Sequence, residues 1–144
     1  MELLYSVRLV PVTDPSTVSN TSIRERVLGS SKGSLTKHFV VYDDGHEVAF
    51  LSVDLRTDIN LLVIYEIFVP QELRGRGIGT SVLLAAEKLG RDHGFPMATL
   101  IPKALGYAPG DERDRETVRL VAWYERHGYR ATEDSRFREW QKEL

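Results

Sequence analysis

Residues 74–79 read Arg-Gly-Arg-Gly-Ile-Gly, so Gly75, Gly77 and Gly79 alternate with Arg74, Arg76 and Ile78 directly ahead of a helical pattern. The first turn of a helix leaves about four backbone N–H groups without intrahelical partners, and the helix dipole adds partial positive charge there. Glycines let the backbone approach a ligand with no Cβ in the way. Two guanidinium groups beside such donors suit a di- or polyphosphate. A second candidate lies just upstream: Glu66 is the one charged residue in the run Leu61–Val69. An ionised carboxylate in a buried strand is costly unless it is paired or employed.

The spacing of the glycines excludes two nucleotide motifs. A dinucleotide fingerprint needs a third glycine where this chain has Thr80, and an acidic strand end about 20 residues on, which is missing. A phosphate-loop NTPase needs a Lys after a glycine of the loop, and there is none. No metal site is expected. The chain has no cysteine, which also removes a thiol nucleophile, and no two of its histidines have ligand spacing. His38 and His46 flank a hairpin and His93 and His127 fall at helix C-termini, so none is assigned to catalysis. Trp123 and Trp140 are assigned to packing.

The elements that would position these groups follow from periodicity. Residues 3–10 form a strand closed by Pro11 and Pro15, and a short amphipathic helix lies within 16–28, ended by Gly29. Residues 29–37 are small and polar and read as a mobile surface loop. A hairpin follows, 38–42 and 47–55 around Asp44-Gly45, then a nearly continuous apolar strand over 60–69, covered on both faces. Ile78, Val82, Leu83, Ala86 and Leu89 repeat at helical spacing as far as His93-Gly94. A short strand over 96–102, a loop, a helix over about 113–127 and two terminal strands around 133–135 complete the order. One mixed α/β sheet results, and the strand–helix–strand step from 60 to 102 should be a right-handed crossover with parallel strands.

Composition sets the outer limits. The 144 residues, 42% hydrophobic, suit one domain spanning 1–144. Nineteen Lys and Arg against 21 Asp and Glu give a net charge of −2, with no block of like charge, so nucleic acid and anionic membrane are not expected partners. No apolar run approaches the roughly 18 residues a membrane helix needs, and no leader pattern opens the chain, so a cytoplasmic location is expected.

At this point the sequence resembles a known family. Arg74–Gly79 matches the (R/Q)-x-x-G-x-(G/A) signature of the GNAT acyltransferases, preceded by an apolar strand as in that family. Trp123–Tyr129, Trp-Tyr-Glu-Arg-His-Gly-Tyr, is similar to the family's second signature at the end of the last helix. The element order agrees, and the resemblance runs from about residue 3 to the C-terminus. It implies a mostly antiparallel sheet of about seven strands flanked by helices, with two central parallel strands splayed apart. It further implies acetyl-CoA as acyl donor, with Arg74, Gly75, Arg76, Gly77, Ile78, Gly79 and Thr80 around the pyrophosphate and the backbone at Phe68 and Val69 along the pantetheine. Tyr124 stands where the family keeps its tyrosine acid, and an unperturbed phenol pKa of about 10 keeps it protonated at neutral pH. Glu66, near the splay, is the candidate base, with an ion pair to a neighbouring arginine as its other reading.

Two positions depart from the family. Thr117 replaces the asparagine often found seven residues before the tyrosine, leaving a shorter hydroxyl for CoA, and Leu120 replaces a small residue. The segment Lys103–Glu116 is long for its place, and Tyr107, Asp111 and Glu112 are placed beside a cationic acceptor by position and charge. The expectation is an N-acetyltransferase acting directly, in a ternary complex, on a small-molecule or peptide amine. By family analogy it forms a homodimer through its terminal strands. A non-catalytic acyl-CoA sensor and a domain binding ATP or NAD are the alternatives.

Overall fold

In the computed structural model the described residues are 7–101, 110–132 and 139–144, with the side chains of the last helix described from Val118 onward. Strand β1 (Val7–Pro11) leads through a short turn to helix α1 (Thr21–Gly29). The Asn20 side chain accepts from Ile23 N at 3.0 Å, and the Glu47 carboxylate accepts from Ser19 N and Asn20 N, so the entry to α1 is capped twice. Strands β2 (Thr36–Asp43) and β3 (His46–Arg56) pair through a two-residue turn. Asp44 (φ 49°) and Gly45 (φ 77°) are both left-handed, the backbone that matches the twist of a tight hairpin. Strand β4 (Leu61–Phe68) follows, then α2 (Ile78–Asp92), β5 (Met97–Leu100), α3 (Gly110–Arg126), β6 (Arg130–Ala131) and β7 (Trp140–Glu143).

The seven strands form one sheet in the order β1-β2-β3-β4-β5-β7-β6. Among its described pairings only β4 with β5 is parallel, as the intervening α2 requires. The mixed seven-stranded sheet with helices on its faces is the architecture expected from the sequence. Several boundaries differ: Pro11 is the last residue of β1 and Gly29 the last of α1. Thr36 and Lys37 belong to β2, because Thr36 is buried opposite Asp54, and α3 begins at Gly110, three residues earlier than the periodicity indicated. Residues 102–109 and 133–138 lie outside the described residues, and with them Tyr107; the two expected terminal strands are β6 and β7, antiparallel and on either side of 133–138.

Two apolar clusters fix the sheet between its layers. On one face Leu51, Val53, Leu62 and Ile64 pack with Val82, Leu83 and Ala86 of α2 and with Tyr124 and Tyr129. On the other, Val40, Phe50 and Phe68 pack with Ile23 and Val27 of α1. Alternate residues of β4 therefore serve different faces, and its C-terminal end is where the two layers meet.

Candidate functional site

Pairing of β4 with β5 runs from Leu61↔Met97 to Ile64↔Leu100 and stops, while β4 continues to Phe68 against β3. Among the described residues, therefore, no strand pairs with 65–68 on the β5 side. A bulge sits at the point of departure: Val53 faces Ile64 and Ser52 faces Glu66, leaving Tyr65 unmatched. A bulge re-aims the strand beyond it, which is how one chain can leave a parallel partner while keeping an antiparallel one. The Tyr65 hydroxyl donates to Asp54 Oδ2 at 2.8 Å, and the Thr36 hydroxyl donates to Asp54 Oδ1, so the bulge is tied to β2 and β3.

From the end of β4 the chain passes through one tight turn, Gln71–Leu73, into the glycine loop. Gly75 and Gly77 both have φ of +80°, and Gly77 is the left-handed residue from which α2 starts. A residue with a Cβ is strained there, so these two glycines are needed for the backbone path itself. Among the described residues no side chain caps the helix. Ser81 N bonds Gly77 O at 3.2 Å, so the N–H groups of Ile78, Gly79 and Thr80 precede the first intrahelical bond and remain as donors. Gly79 is different in kind. Its φ is ordinary and a Cβ would meet Trp123 Cζ2 at 3.8 Å, a normal contact. The two arginines are exposed and hold to the loop: Arg74 Nε donates to Val69 O and Nη1 to Gln71 Oε1, both at 2.9 Å, and Arg76 Nη2 donates to Glu72 O at 3.3 Å.

Tyr124 faces the α2 layer, in the apolar cluster that also includes Ile78 and borders on Val69. It is buried and packs edge-on against Trp123 and Tyr129, with ring centroids 4.8 and 5.6 Å away. Its hydroxyl has no hydrogen-bond partner among the described residues. Burial alone pushes its pKa up to about 12, so the phenol keeps its proton throughout the physiological range. Tyr129 supports it from below. The fully buried Tyr129 donates to Glu87 Oε2 at 2.9 Å, and Lys142 Nζ reaches both Glu87 oxygens at 3.1 Å, satisfying a carboxylate that is only 1% exposed. That cluster links α2, the segment after α3 and β7. Glu87 falls four residues after Leu83 on the buried face of α2, and that spacing was the one signal in the sequence.

The structure does not bring Glu66 to the same face. Together with Phe68 it points toward the α1 layer, where the Arg26 Nε–Glu66 Oε2 distance is 2.6 Å and Ser30 Oγ donates to Glu66 Oε1 at 3.4 Å. Of its two readings from sequence, the ion pair is therefore present. Arg26 also lies 5.8 Å from the Phe68 ring centroid. In the same row across the sheet, His38 lies beside Ser52 and Ser52 beside Glu66. His38 does not flank the hairpin as the sequence suggested but sits inside β2, 6% exposed, edge-on to Phe50, with Nε2 buried and unpartnered. Burial lowers its pKa most; the Ser31 backbone and Glu66 act in the opposite sense, and Lys32 adds to the lowering. The alternation of Thr36, His38 and Val40 was the legible sign that this histidine turns inward.

Thr117, Asp111 and Glu112 fall in the part of α3 whose side chains are not described. Among the described residues no three His, Asp or Glu approach closely enough to hold a metal ion, and no helix is long and apolar enough to cross a membrane.

Solved structures of the same architecture are numerous. An acetyltransferase from Thermus thermophilus is 14% identical, with a TM-score of 0.67 over 99% of this chain and 100% of that one. The ribosomal-protein-S18-alanine N-acetyltransferase from Escherichia coli is also 14% identical, with a TM-score of 0.64 over 96% and 93%. A GNAT family acetyltransferase from Elizabethkingia anophelis, solved with acetyl-CoA bound, is 11% identical, with a TM-score of 0.60 over 96% and 98%. At these identities the likeness is one of fold. No curated protein sequence matches the chain. The model of the acetyltransferase (GNAT) domain, however, matches residues 34–131, from just before β2 through β6 and well over half of the sequence. The free edge of β4, the left-handed glycines and the tyrosine of the last helix all fall inside that match, and the chain belongs to the GNAT acetyltransferase family.

Proposed function

We propose that the protein transfers an acetyl group from acetyl-CoA to a primary amine, directly and within a ternary complex. The observation that carries this reading is the adjacency of two donor sets. A helix N-terminus and the backbone edge of a strand end, both without a partner among the described residues, stand next to each other, the helix entered through two left-handed glycines. The first suits a pyrophosphate and the second an amide-bearing arm. Ile78, Gly79 and Thr80 N–H, with Arg74 and Arg76, would hold the pyrophosphate, and backbone groups at Phe68 and Val69 the pantetheine and acetyl carbonyl. Arg74 must release Val69 O to do so, which costs little for an exposed guanidinium. Thr117 would complete the CoA site from α3. The acetyl-CoA bound by the Elizabethkingia neighbour supports the choice of donor.

The chemistry needs three things from the chain. The neutral amine attacks the thioester carbon, the carbonyl electrons move onto oxygen and are stabilised by backbone N–H at the strand end, and the C–S bond then breaks as they return. Tyr124 donates its proton to the departing thiolate sulfur. The ammonium proton leaves on the acceptor side, through water to the Glu66 carboxylate, which is paired with Arg26. Acceptor and donor thus enter from opposite faces of the sheet and meet at the gap beside residues 65–68. The near-neutral charge favours small or peptide amines over nucleic acid, and a cytoplasmic domain covering 1–144, paired through its terminal strands, completes the proposal. The closed Arg26–Glu66 pair favours one second reading, a non-catalytic acyl-CoA-binding module.

Thiol release from acetyl-CoA with a panel of primary amines separates the two. Wild type should release thiol with at least one amine. Calorimetry with CoA, ATP and NAD should show binding of CoA alone, weakened about tenfold or more in Arg74→Glu. CoA binding without thiol release from any amine favours the binding module; tight ATP or NAD binding without CoA removes both.

A further inference from the structure

Glu87 stands inside α2 with its side chain 1% exposed, and the cation that answers it comes from the last strand: Lys142 Nζ lies 3.1 Å from both carboxylate oxygens. Gly128 leaves room for that lysine. Its φ is +95°, and a Cβ there would meet Lys142 Cε at 3.4 Å and Cδ at 3.5 Å. The Tyr129 hydroxyl donates to Glu87 Oε2 at 2.9 Å, and Lys142 Nζ lies 5.7 Å from the Tyr129 ring centroid. Folding alone does not ask for charge here, because an apolar set of similar volume is often as stable as a buried ion pair or more so. What the network fixes is the Tyr129 ring, and Tyr129 borders Tyr124. Their centroids are 5.6 Å apart with the planes at 74°, and Tyr129 N donates to Tyr124 O at 3.1 Å. The Tyr124 hydroxyl has no hydrogen-bond partner among the described residues, so ring packing aims it. Its other ring neighbour, Trp123, is only partly buried and leans on His127 with centroids 4.8 Å apart.

We propose that Glu87 and Lys142, acting through Tyr129, hold the Tyr124 ring at the angle from which its hydroxyl meets the departing sulfur. All three are positioning residues and touch no reactant. Displacing the ring would weaken proton donation, which matters only in the transition state, and would leave the grip on CoA alone. The last strand of the sheet thus governs the chemical step without governing donor binding. The inference rests on the acetyl-transfer reading for the role of Tyr124, though the placement of its ring can be followed without turnover.

The test compares wild type with Tyr129→Phe, Tyr129→Phe/Glu87→Leu, Tyr124→Phe and Tyr124→Phe/Tyr129→Phe. Each is assayed for thiol release at saturating acetyl-CoA with the primary amine that wild type turns over fastest, for unfolding in urea and, where Tyr124 is present, by NMR of its ring. Tyr129→Phe should lower kcat about tenfold with the KM for acetyl-CoA unchanged, and should shift or broaden the Tyr124 ring resonances. In the Tyr124→Phe background the same change should leave kcat where it was, since no donor remains to be positioned. Tyr129→Phe/Glu87→Leu makes the site apolar and lets Lys142, 26% exposed, turn to solvent; its urea midpoint should recover toward wild type while kcat stays low. A kcat that is unchanged, that returns with stability, or that falls equally in both backgrounds overturns the inference and leaves acetyl transfer standing. If wild type releases no thiol with any amine while Tyr129→Phe moves the Tyr124 ring, the positioning stands and the acetyltransferase reading falls.

Discussion

On the α2 side of β4 the surface offered to a ligand is backbone: N–H groups at Ile78–Thr80 and a strand edge, both without partners among the described residues, and two left-handed glycines that set the path. On the α1 side it is side chains: Glu66 locked to Arg26 and Ser30 beside it. In the proposed reaction the first construction would recognise what every CoA thioester has in common, and the second would meet the amine. The proton donor proposed for the junction, Tyr124, comes from the backbone-built side.

That assignment predicts the largest effect. Tyr124→Phe removes a hydroxyl with no partner among the described residues, so it should leave stability within about 0.5 kcal/mol of wild type. Losing the proton donor should lower kcat by about 100-fold or more with little change in the KM for acetyl-CoA. Thiol-release kinetics beside thermal unfolding checks both, and an unchanged kcat would take Tyr124 out of the mechanism. The opposite face should respond in stability first. Arg26→Leu strips the nearly buried Glu66 carboxylate of its counter-charge, with the Ser30 hydroxyl still beside it, and should cost about 3 kcal/mol. The double variant Arg26→Leu/Glu66→Leu should recover most of that loss in a urea titration. Failure of the second change to recover stability would mean that Arg26, not the charge balance, matters for packing.

Within the backbone-built side the glycines can be set against one another. Gly77→Ala forces a Cβ into a left-handed N-terminal position and should destabilise by about 1–2 kcal/mol. Gly79→Ala has an ordinary φ and a 3.8 Å neighbour, so it should fold as well as wild type or slightly better, yet weaken CoA binding about tenfold by filling the approach to the helix N-terminus. Calorimetry beside unfolding tests the pair. Equal effects of both on stability would remove the distinction between a glycine needed for the turn and one needed for access.

The same division explains what the sequence disclosed. The loop, its strand and the Tyr124 signature were legible because their signals are local: alternating glycines, a nearly uncharged apolar run and an aromatic spacing are each complete within a short stretch of chain. The splay of β4 from β5 was implied only by resemblance, since a bulge at Tyr65 has no fixed letter in an apolar run. On the α1 face the partners are 40 residues apart in Arg26 and Glu66, and 42 apart in Glu87 and Tyr129 on the other. No periodicity connects such pairs, so sequence could state that Glu66 needs a partner but not which one. His38 was misplaced for a related reason. As a polar letter at the edge of an apolar run it read as the start of a strand, whereas Thr36 ahead of it is already buried.

The smallest effect concerns pH and again distinguishes the two faces. In the unfolded chain a tyrosine ionises near pH 10, while Tyr124 in its apolar layer holds its proton until about 12. Below pH 10 both states are protonated and Tyr124 adds nothing to the pH dependence. Between 10 and 12 the unfolded chain releases a proton that the folded chain retains, so stability falls as pH rises, by up to about 1.4 kcal/mol per pH unit. Tyr129, also raised by burial and by Glu87, adds to the decline in the same direction. Tyr124→Phe should remove one share of it, so wild type and variant, equal at about pH 8–9, should separate in urea titrations at about pH 10.5–11 with the variant the more stable. No separation would mean that the Tyr124 hydroxyl reaches water more freely than its burial indicates, and that the proton it offers to sulfur is held no more tightly than that of any exposed tyrosine.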